Sequence, residues 1–316
     1  KHETLELIVG DKRLLQSCWP NQGYAKMGEV LDRGMPPAEV GGTFRFSDAR
    51  VLRWQNAMSD GGVWLRGFWR VPWTRQILRV NEINAQEQTI QFRRAITGGI
   101  GSKYGAAKRG QVGEESWQAI NLLEEIDQPG EWAVNTVKQR LDVWLPDSQT
   151  EQSILLATRK EPLLRCRKVA HLRIQGLSFV AALGRLVEIN EGEDVVVAGC
   201  EFRNCGDCAI GVTGGLRHQI LANDITTAGR EGIRCYGGER RTLRHSEHRL
   251  ENNWIHDIGV HAPVAAVVIG EYTRAEAVGM LVRHNRIHDV PNSGIVFAGN
   301  DPVSYTHLRA HETEAD

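Results

Sequence analysis

The sequence predicts an all-β fold, a right-handed parallel β-helix solenoid with an accessory β-rich domain inserted in its N-terminal half. Three observations lead there: a repeat in the second half, alternation with a period of two inside each repeat, and the lack of amphipathic stretches of helical length between the repeats.

The segments HLRIQGLSF, VVVAGCEF, HQILANDI, HRLENNWI and MLVRHNRI align so that Phe179, Phe202, Ile225, Ile255 and Ile287 form one column, at intervals of 23, 23, 30 and 32 residues. Eight residues beyond the first three and the last of these stand Val187, Ile210, Ile233 and Ile295; four extra residues near Pro263 bring Val267 into the same column. Two residues further on, Ile189, Val212, Cys235, Ile269 and Phe297 form a second inward-facing column, the period of a strand. A compact α/β fold needs helices of 10 to 15 residues between its strands, and the repeats leave no room for them. Stacked coils lie about 4.8 Å apart, so each residue sits on its equivalent in the next coil. Asn223, Asn253 and Asn285 therefore line up as an amide ladder that caps turn carbonyls, a structural role.

Composition bounds the class. At 316 residues and 41% hydrophobic content the chain buries a large core, and 33 glycines suit many tight turns. A net charge of −1 favours neither nucleic acid nor an anionic membrane, and no apolar run approaches the roughly 18 residues of a membrane span. The residues from Lys1 onward have neither a basic nor an apolar leader region, so localisation is not legible in them. Six cysteines are too few and too irregular for a disulfide framework. Cys200, Cys205 and Cys208 invite a metal reading. They lack a second pair or a His at zinc spacing, and Cys200 and Cys235 fall on apolar or ladder positions, so small buried hydrophobes are the better account.

The first half is rich in Trp and β-branched residues, with strand-like pieces at Val63–Trp69, Gln76–Val80 and Thr89–Phe92; Ser116–Ile126 is its best helical candidate. Residues 1–42 read as the start of the coil region, 43–160 as the inserted domain ending after the polar stretch Pro146–Thr150, and 161–302 as the coils. Residues 303–313, VSYTHLRAHET, resemble a translated sequencing adapter, and 303–316 are set aside.

The stretches CWPNQG, RWQNA, WLRGFWRVPW, NLLEEIDQPGEW, GCEFRNCG, NNWIHDIG and VRHNRIHDVPNSGIVFAGND together resemble bacterial right-handed β-helix proteins of the glycoside hydrolase family 141 type, over about Leu5 to Asp301. The resemblance implies a pectate-lyase-like coil and a secreted or periplasmic enzyme acting on plant-type polysaccharide, with fucosidase or xylanase activity. It also implies further coils after Gly299-Asn300-Asp301, where relatives supply more acidic residues, which puts the activity of this chain by itself in doubt.

Glycoside hydrolysis needs two carboxyl groups facing one cleft. His256-Asp257 and His288-Asp289 follow the anchor in adjacent coils, so Asp257 and Asp289 form one candidate pair that titrates as a coupled unit; alternatively each Asp ends a strand by bonding turn N–H groups. Glu271 and Asp301 form a second candidate pair at the other corner, with a plain surface turn as the alternative. His256, His288, His261 and Asn300 are candidate substrate-binding residues; His218, His245 and His248 are expected in solvent, and Trp64, Trp69 and Trp73 in the core. The expected partner is a polysaccharide or oligosaccharide, with no nucleic acid or membrane, a monomer, and no metal or other cofactor. A polysaccharide lyase using Arg234, Arg240, Arg241 or Arg283, with Ca²⁺ as a possible cofactor, and a non-catalytic glycan-binding or adhesin-like coil are the rival readings.

Overall fold

The structure, a computed structural model, describes residues 5–104, 115–147, 152–270 and 277–297. They fall into two compact units, one drawn from 9–154 and the other from 5–8 and 155–297. Among the described residues no helix is long and apolar enough to cross a membrane.

The second unit carries three parallel sheets whose strands recur in rotation. Sheet A holds Leu164–Ala170, Val187–Glu193, Ile210–Thr213, Ile233–Tyr236, Val267–Ile269 and Ile295–Phe297, hydrogen-bonded in that order. Sheet B holds Arg173–Gln175, Val196–Ala198, Gln219–Leu221, Arg249–Glu251 and Leu281–Arg283. Sheet C holds Ser178–Ala182, Glu201–Cys205, Asp224–Ala228, Trp254–His256 and Arg286–His288. Each coil thus runs A, B, C, and successive coils pair in parallel, the arrangement of a parallel β-helix.

The register is the one the spacing predicts. Phe179 pairs with Phe202, Phe202 with Ile225, Ile225 with Ile255 and Ile255 with Ile287. Val187, Ile210, Ile233, Val267 and Ile295 stack in the same way, so the four-residue insertion near Pro263 is accommodated outside the strands. The inward columns are closed: Phe202, Ile225, Ile255, Ile210, Ile233 and Val267 have no exposed surface. Each such side chain contributes about 1.5–3 kcal/mol by leaving water.

The corners between sheets are as regular as the sheets. From C to A, Ala181, Asn204, Thr227, Asp257 and Asp289 occupy equivalent positions, all with φ between 49° and 62°. Non-glycine residues rarely adopt this left-handed conformation, and Asn and Asp tolerate it best. The asparagine ladder sits just before sheet C. Asn223 Nδ2 donates to Asn253 Oδ1 at 3.0 Å and Asn253 Nδ2 donates to Asn285 Oδ1 at 2.9 Å, while the same amides donate to the carbonyls of Val197 and Ile220.

A second ladder contradicts the expectation that His218 and His248 are solvated. Both are 1% exposed, and their rings stack 4.9 Å apart, 14° from parallel. They continue a column of Leu172, Val195, His218, His248 and Met280, one residue ahead of sheet B. His218 Nδ1 accepts the Val195 N–H at 3.3 Å, His248 Nδ1 accepts the His218 N–H at 3.1 Å, and His248 Nε2 lies 3.1 Å from the Gly214 carbonyl. Imidazole nitrogens therefore do for this corner what asparagine amides do for the next. His245 is exposed, as expected.

The first unit is built on an eight-stranded sheet with the path Cys18–Trp19, Ser116–Ile120, Trp64–Gly67, Gln76–Asn84, Thr89–Phe92, Thr43–Arg45 and Val30–Asp32, and with Ala25–Lys26 also pairing Ser116–Ile120. Ser116–Ile126 is thus not a helix. All five residues of Ser116–Ile120 are buried, and a strand covered on both faces loses the alternation that would have distinguished it from a helix; a 3₁₀ turn, Leu123–Glu125, follows. The core packs Trp54, Trp69, Trp117, Phe44 and Phe92, with Trp69 and Phe92 edge to face at 4.7 Å. Buried Glu125 accepts the Trp54 indole N–H at 2.7 Å and a hydrogen bond from Arg50 Nε at 2.8 Å. Of the three tryptophans expected in this core, Trp69 is fully buried, Trp64 is half-buried, and Trp73, 52% exposed, packs beside Tyr104.

Candidate functional site

Alternation along sheet C leaves two columns facing outward. One runs Ser178, Glu201, Asp224, Trp254, Arg286; the other runs Val180, Arg203, Thr226, His256, His288. Early coils carry small or charged residues here, and the last two described coils carry aromatic rings. Trp254 is 39% exposed, a large apolar surface on an otherwise polar face. Its ring centroid lies 4.4 Å from His256, and the Arg286 guanidinium lies 5.5 Å from it. His256 and His288 stack 5.2 Å apart and 10° from parallel, one coil upon the next.

The hydrogen bonds fix how these rings are presented. The Trp254 indole N–H donates to His288 Nε2 at 2.7 Å, so the hydrogen of His288 sits on Nδ1, 2.6 Å from Asp289 Oδ2. His256 Nδ1 lies 2.7 Å from Asp257 Oδ2, and its Nε2 lies 3.3 Å from Asp224 Oδ1. Two His–Asp pairs of one geometry are therefore stacked one coil apart, their rings 5.2 Å from each other. Asp257 and Asp289 both take the left-handed corner conformation, as turn-forming residues do, while their carboxylates stay 57% and 69% exposed.

Of the residues selected from the sequence, His256, Asp257, His288 and Asp289 come together on this face. His261 does not join them. Its Nε2 is hydrogen-bonded to Glu6, a buried carboxylate 255 positions earlier in the chain, and its ring lies against Gly229. Glu271, Asn300 and Asp301 lie outside the described residues.

Beside this face, the corner leading to sheet A carries charges in series: Arg165 with Glu188, Glu188 with Arg185, Arg185 with Asp207, Asp207 with Arg230, and Arg230 and Arg234 with Glu231. Glu231 is 2% exposed. Burial pushes its carboxyl up, but the Arg234 and Arg230 guanidiniums outweigh burial and hold it below the usual carboxylate range. Arg234 is committed to that pair, Arg283 donates to Glu251 at 2.9 Å, and Arg240 and Arg241 are exposed on a loop.

Metal-ligand chemistry is poorly served. The Cys200, Cys205 and Cys208 thiols are all buried and point at backbone carbonyls, at 3.4, 3.2 and 3.1 Å, and burial pushes the Cys208 thiol well above its ordinary value. Among the described residues one group, His171, Glu193 and Asp194, brings ligand atoms close together. Arg217 already occupies it, donating to Glu193 at 2.7 Å and to Asp194 at 2.9 and 2.8 Å, so a guanidinium stands where a cation would.

Trp254, Asp224, Arg286, Glu6 and Glu231 are the residues here that sequence reasoning did not single out. For the first three the signal was present, since positions one before the anchor face outward in every coil. For Glu6 there was none.

Comparison with known proteins agrees with this architecture. Residues 165–307 match the family model described as a right handed beta helix region. A solved structure named "Glycoside hydrolase" superposes with a TM-score of 0.71 at 11% identity, over 93% of this chain and 60% of that one. At that identity the likeness establishes the fold, a right-handed β-helix, and the chain spans only 60% of the length of the structure it matches. No curated protein matches the sequence.

Proposed function

We propose that this right-handed β-helix is part of a glycoside hydrolase, and that a glycan lies across the outward face of sheet C. The observation that carries the reading is the exposed Trp254 stacked with His256 and His288 beside two His–Asp pairs one coil apart. An indole offers apolar area to a sugar face, and the flanking imidazole and carboxylate groups supply hydrogen bonds to hydroxyls. Coils stack about 4.8 Å apart, close to the roughly 5–5.5 Å between the two carboxyl groups of a retaining enzyme, in which one carboxylate attacks the anomeric carbon while the other protonates the departing glycosidic oxygen and then takes a proton from the water that releases the glycosyl-enzyme intermediate. On this reading Asp257 and Asp289 are that pair, with substrate covering their exposed oxygens. The resemblance noted above points to a plant-type polysaccharide, with fucosidase- or xylanase-like specificity. Arg286 lies over the Trp254 ring, and Arg234 and Arg283 are spent in ion pairs, which argues against a uronate polymer and hence against a lyase.

The test is hydrolysis of xylan and of fucosylated oligosaccharides by the protein. New reducing ends are expected, lost in both Asp257→Asn and Asp289→Asn, while Trp254→Ala raises KM about tenfold, the scale of a removed aromatic anchor. Turnover that survives both Asn variants removes these carboxylates from the chemistry. The exposure of both favours a second reading, a glycan-binding face without catalysis. Binding that depends on Trp254 but releases no product selects it.

A further inference from the structure

The first unit contains a cavity of about 230 Å³ that no part of the reading above uses. It is built by a cross-strand pair: Trp64 and Arg79 face each other on the antiparallel strands Trp64–Gly67 and Gln76–Asn84, and the Arg79 guanidinium lies 5.7 Å from the Trp64 ring centroid. Gly62 makes this possible. It has φ +92°, and a Cβ there would come within 2.8 Å of Arg79 Nε and Nη2, so any side chain would push the guanidinium out of place.

Other charged groups lining the cavity are already held. Lys138 donates to Asp60 at 2.7 Å, Asn135 donates to Asp60 at 3.0 Å, and Arg140 donates to Asp142 at 2.9 Å. Two are not. Among the described residues the Arg79 guanidinium has no hydrogen-bond or ion-pair partner, and neither has the Glu124 carboxylate, whose residue engages Arg53 through its backbone carbonyl. The lining carries three acids, Asp60, Glu124 and Asp142, against three bases, Arg79, Lys138 and Arg140, so its formal charge sums to zero.

We infer that this cavity binds a neutral sugar residue at the end or on a branch of a glycan. A hydroxyl group is both donor and acceptor, so a ligand with vicinal hydroxyls is matched by a wall offering free guanidinium donors and a free carboxylate acceptor together. A formally neutral wall gives no field to gather polyanions or polycations. The volume lies below the roughly 300–1,000 Å³ of sites for larger ligands, the scale of a single ring. The inference stands on the first unit's own residues and is independent of the sheet C site.

Saturation-transfer NMR of the full chain with the methyl glycosides of xylose, fucose, arabinose, glucose and galactose, alongside methyl galacturonate, tests it. At least one neutral glycoside is expected to bind, and to bind at least tenfold more weakly to Arg79→Met, which keeps the aliphatic stem over Trp64 but removes the donors. Glu124→Gln, made independently at the other polar group, is expected to weaken the same ligand; all proteins are compared in a Trp254→Ala background, so that the sheet C face contributes no binding. Binding of none of the neutral glycosides, unaltered binding in Arg79→Met, or preference for the galacturonate overturns the inference.

Discussion

Asn253→Leu is expected to destabilise the coil unit by about 3–6 kcal/mol. Leucine shares the branching and heavy-atom count of asparagine but is bulkier and has no polar atoms, so the loss comes chiefly from polar groups left buried without partners, with crowding added to it. Asn253 Oδ1 accepts the Asn223 backbone N–H at 3.1 Å and the Asn223 side-chain amide at 3.0 Å, and Asn253 Nδ2 donates to the Ile220 carbonyl at 2.9 Å. Each group orphaned in a dry interior costs about 1–3 kcal/mol, and the residue is 1% exposed, so water does not replace the partner. The neighbouring Asn252 provides the control. It is exposed with φ 58°, and Asn252→Gly is expected to change stability by under about 0.5 kcal/mol. Urea unfolding followed by the amide exchange of Asn223 and Val197 separates the coil unit from the rest; equal midpoints for the two variants would refute the ladder's energetic role.

Acidification is the second large effect. Burial, and behind it the neighbouring His218, depress His248 to about 3, and burial depresses His218 in the same direction. An unfolded histidine takes up its proton near pH 6.5. The folded state therefore binds fewer protons than the unfolded state below that value, so stability is full above about pH 6.5 and falls as pH drops toward 3, by about 1.4 kcal/mol per pH unit for one such group. At pH 5 the loss from His248 alone is about 2 kcal/mol. The carboxylates held low by their partners, such as Asp194 beside Arg217, lose their contributions only at more acid values, so the interval from pH 6.5 to 4.5 isolates the imidazoles. In His248→Met, matching the residue that follows in the column, the slope of stability against pH over that interval should fall. An unchanged slope would mean that other groups cause the acid sensitivity.

Much of the coil was legible because its signal is translational. A residue at Phe179 dictates what stands at Phe202 and Ile225, and the same rule carries the asparagine ladder and the stacking of His256 on His288. The rule was stronger than residue polarity. Polarity assigns His218 and His248 to water, whereas register puts them in line with Val195 and Met280, in the interior. The first unit has no such repeat. Its antiparallel pairings join segments as distant as Trp19 and Ala119, and Ser116–Ile120, buried on every side, has no face by which its period shows. The candidate site was legible to the same extent as the coil. His256, Asp257, His288 and Asp289 follow from stacking, while the Glu6–His261 contact follows from no local pattern.

The left-handed corners have a consequence for how such a chain can grow. Coils of 23, 30 and 32 residues share one register, because the additional residues fall between the strands, seven between Tyr236 and Arg249, four between His256 and Val267 and five between Ile269 and Leu281, and the chain rejoins the stack at the equivalent position. A corner residue has already turned its chain sideways, so a longer excursion begins there without disturbing the strands on either side. Rims can diversify by grafting at these points while the scaffold stays fixed, and a peptide spliced between Arg240 and Arg241, exposed on the loop the 30-residue coil already carries, should lengthen the wall and leave the ladders intact.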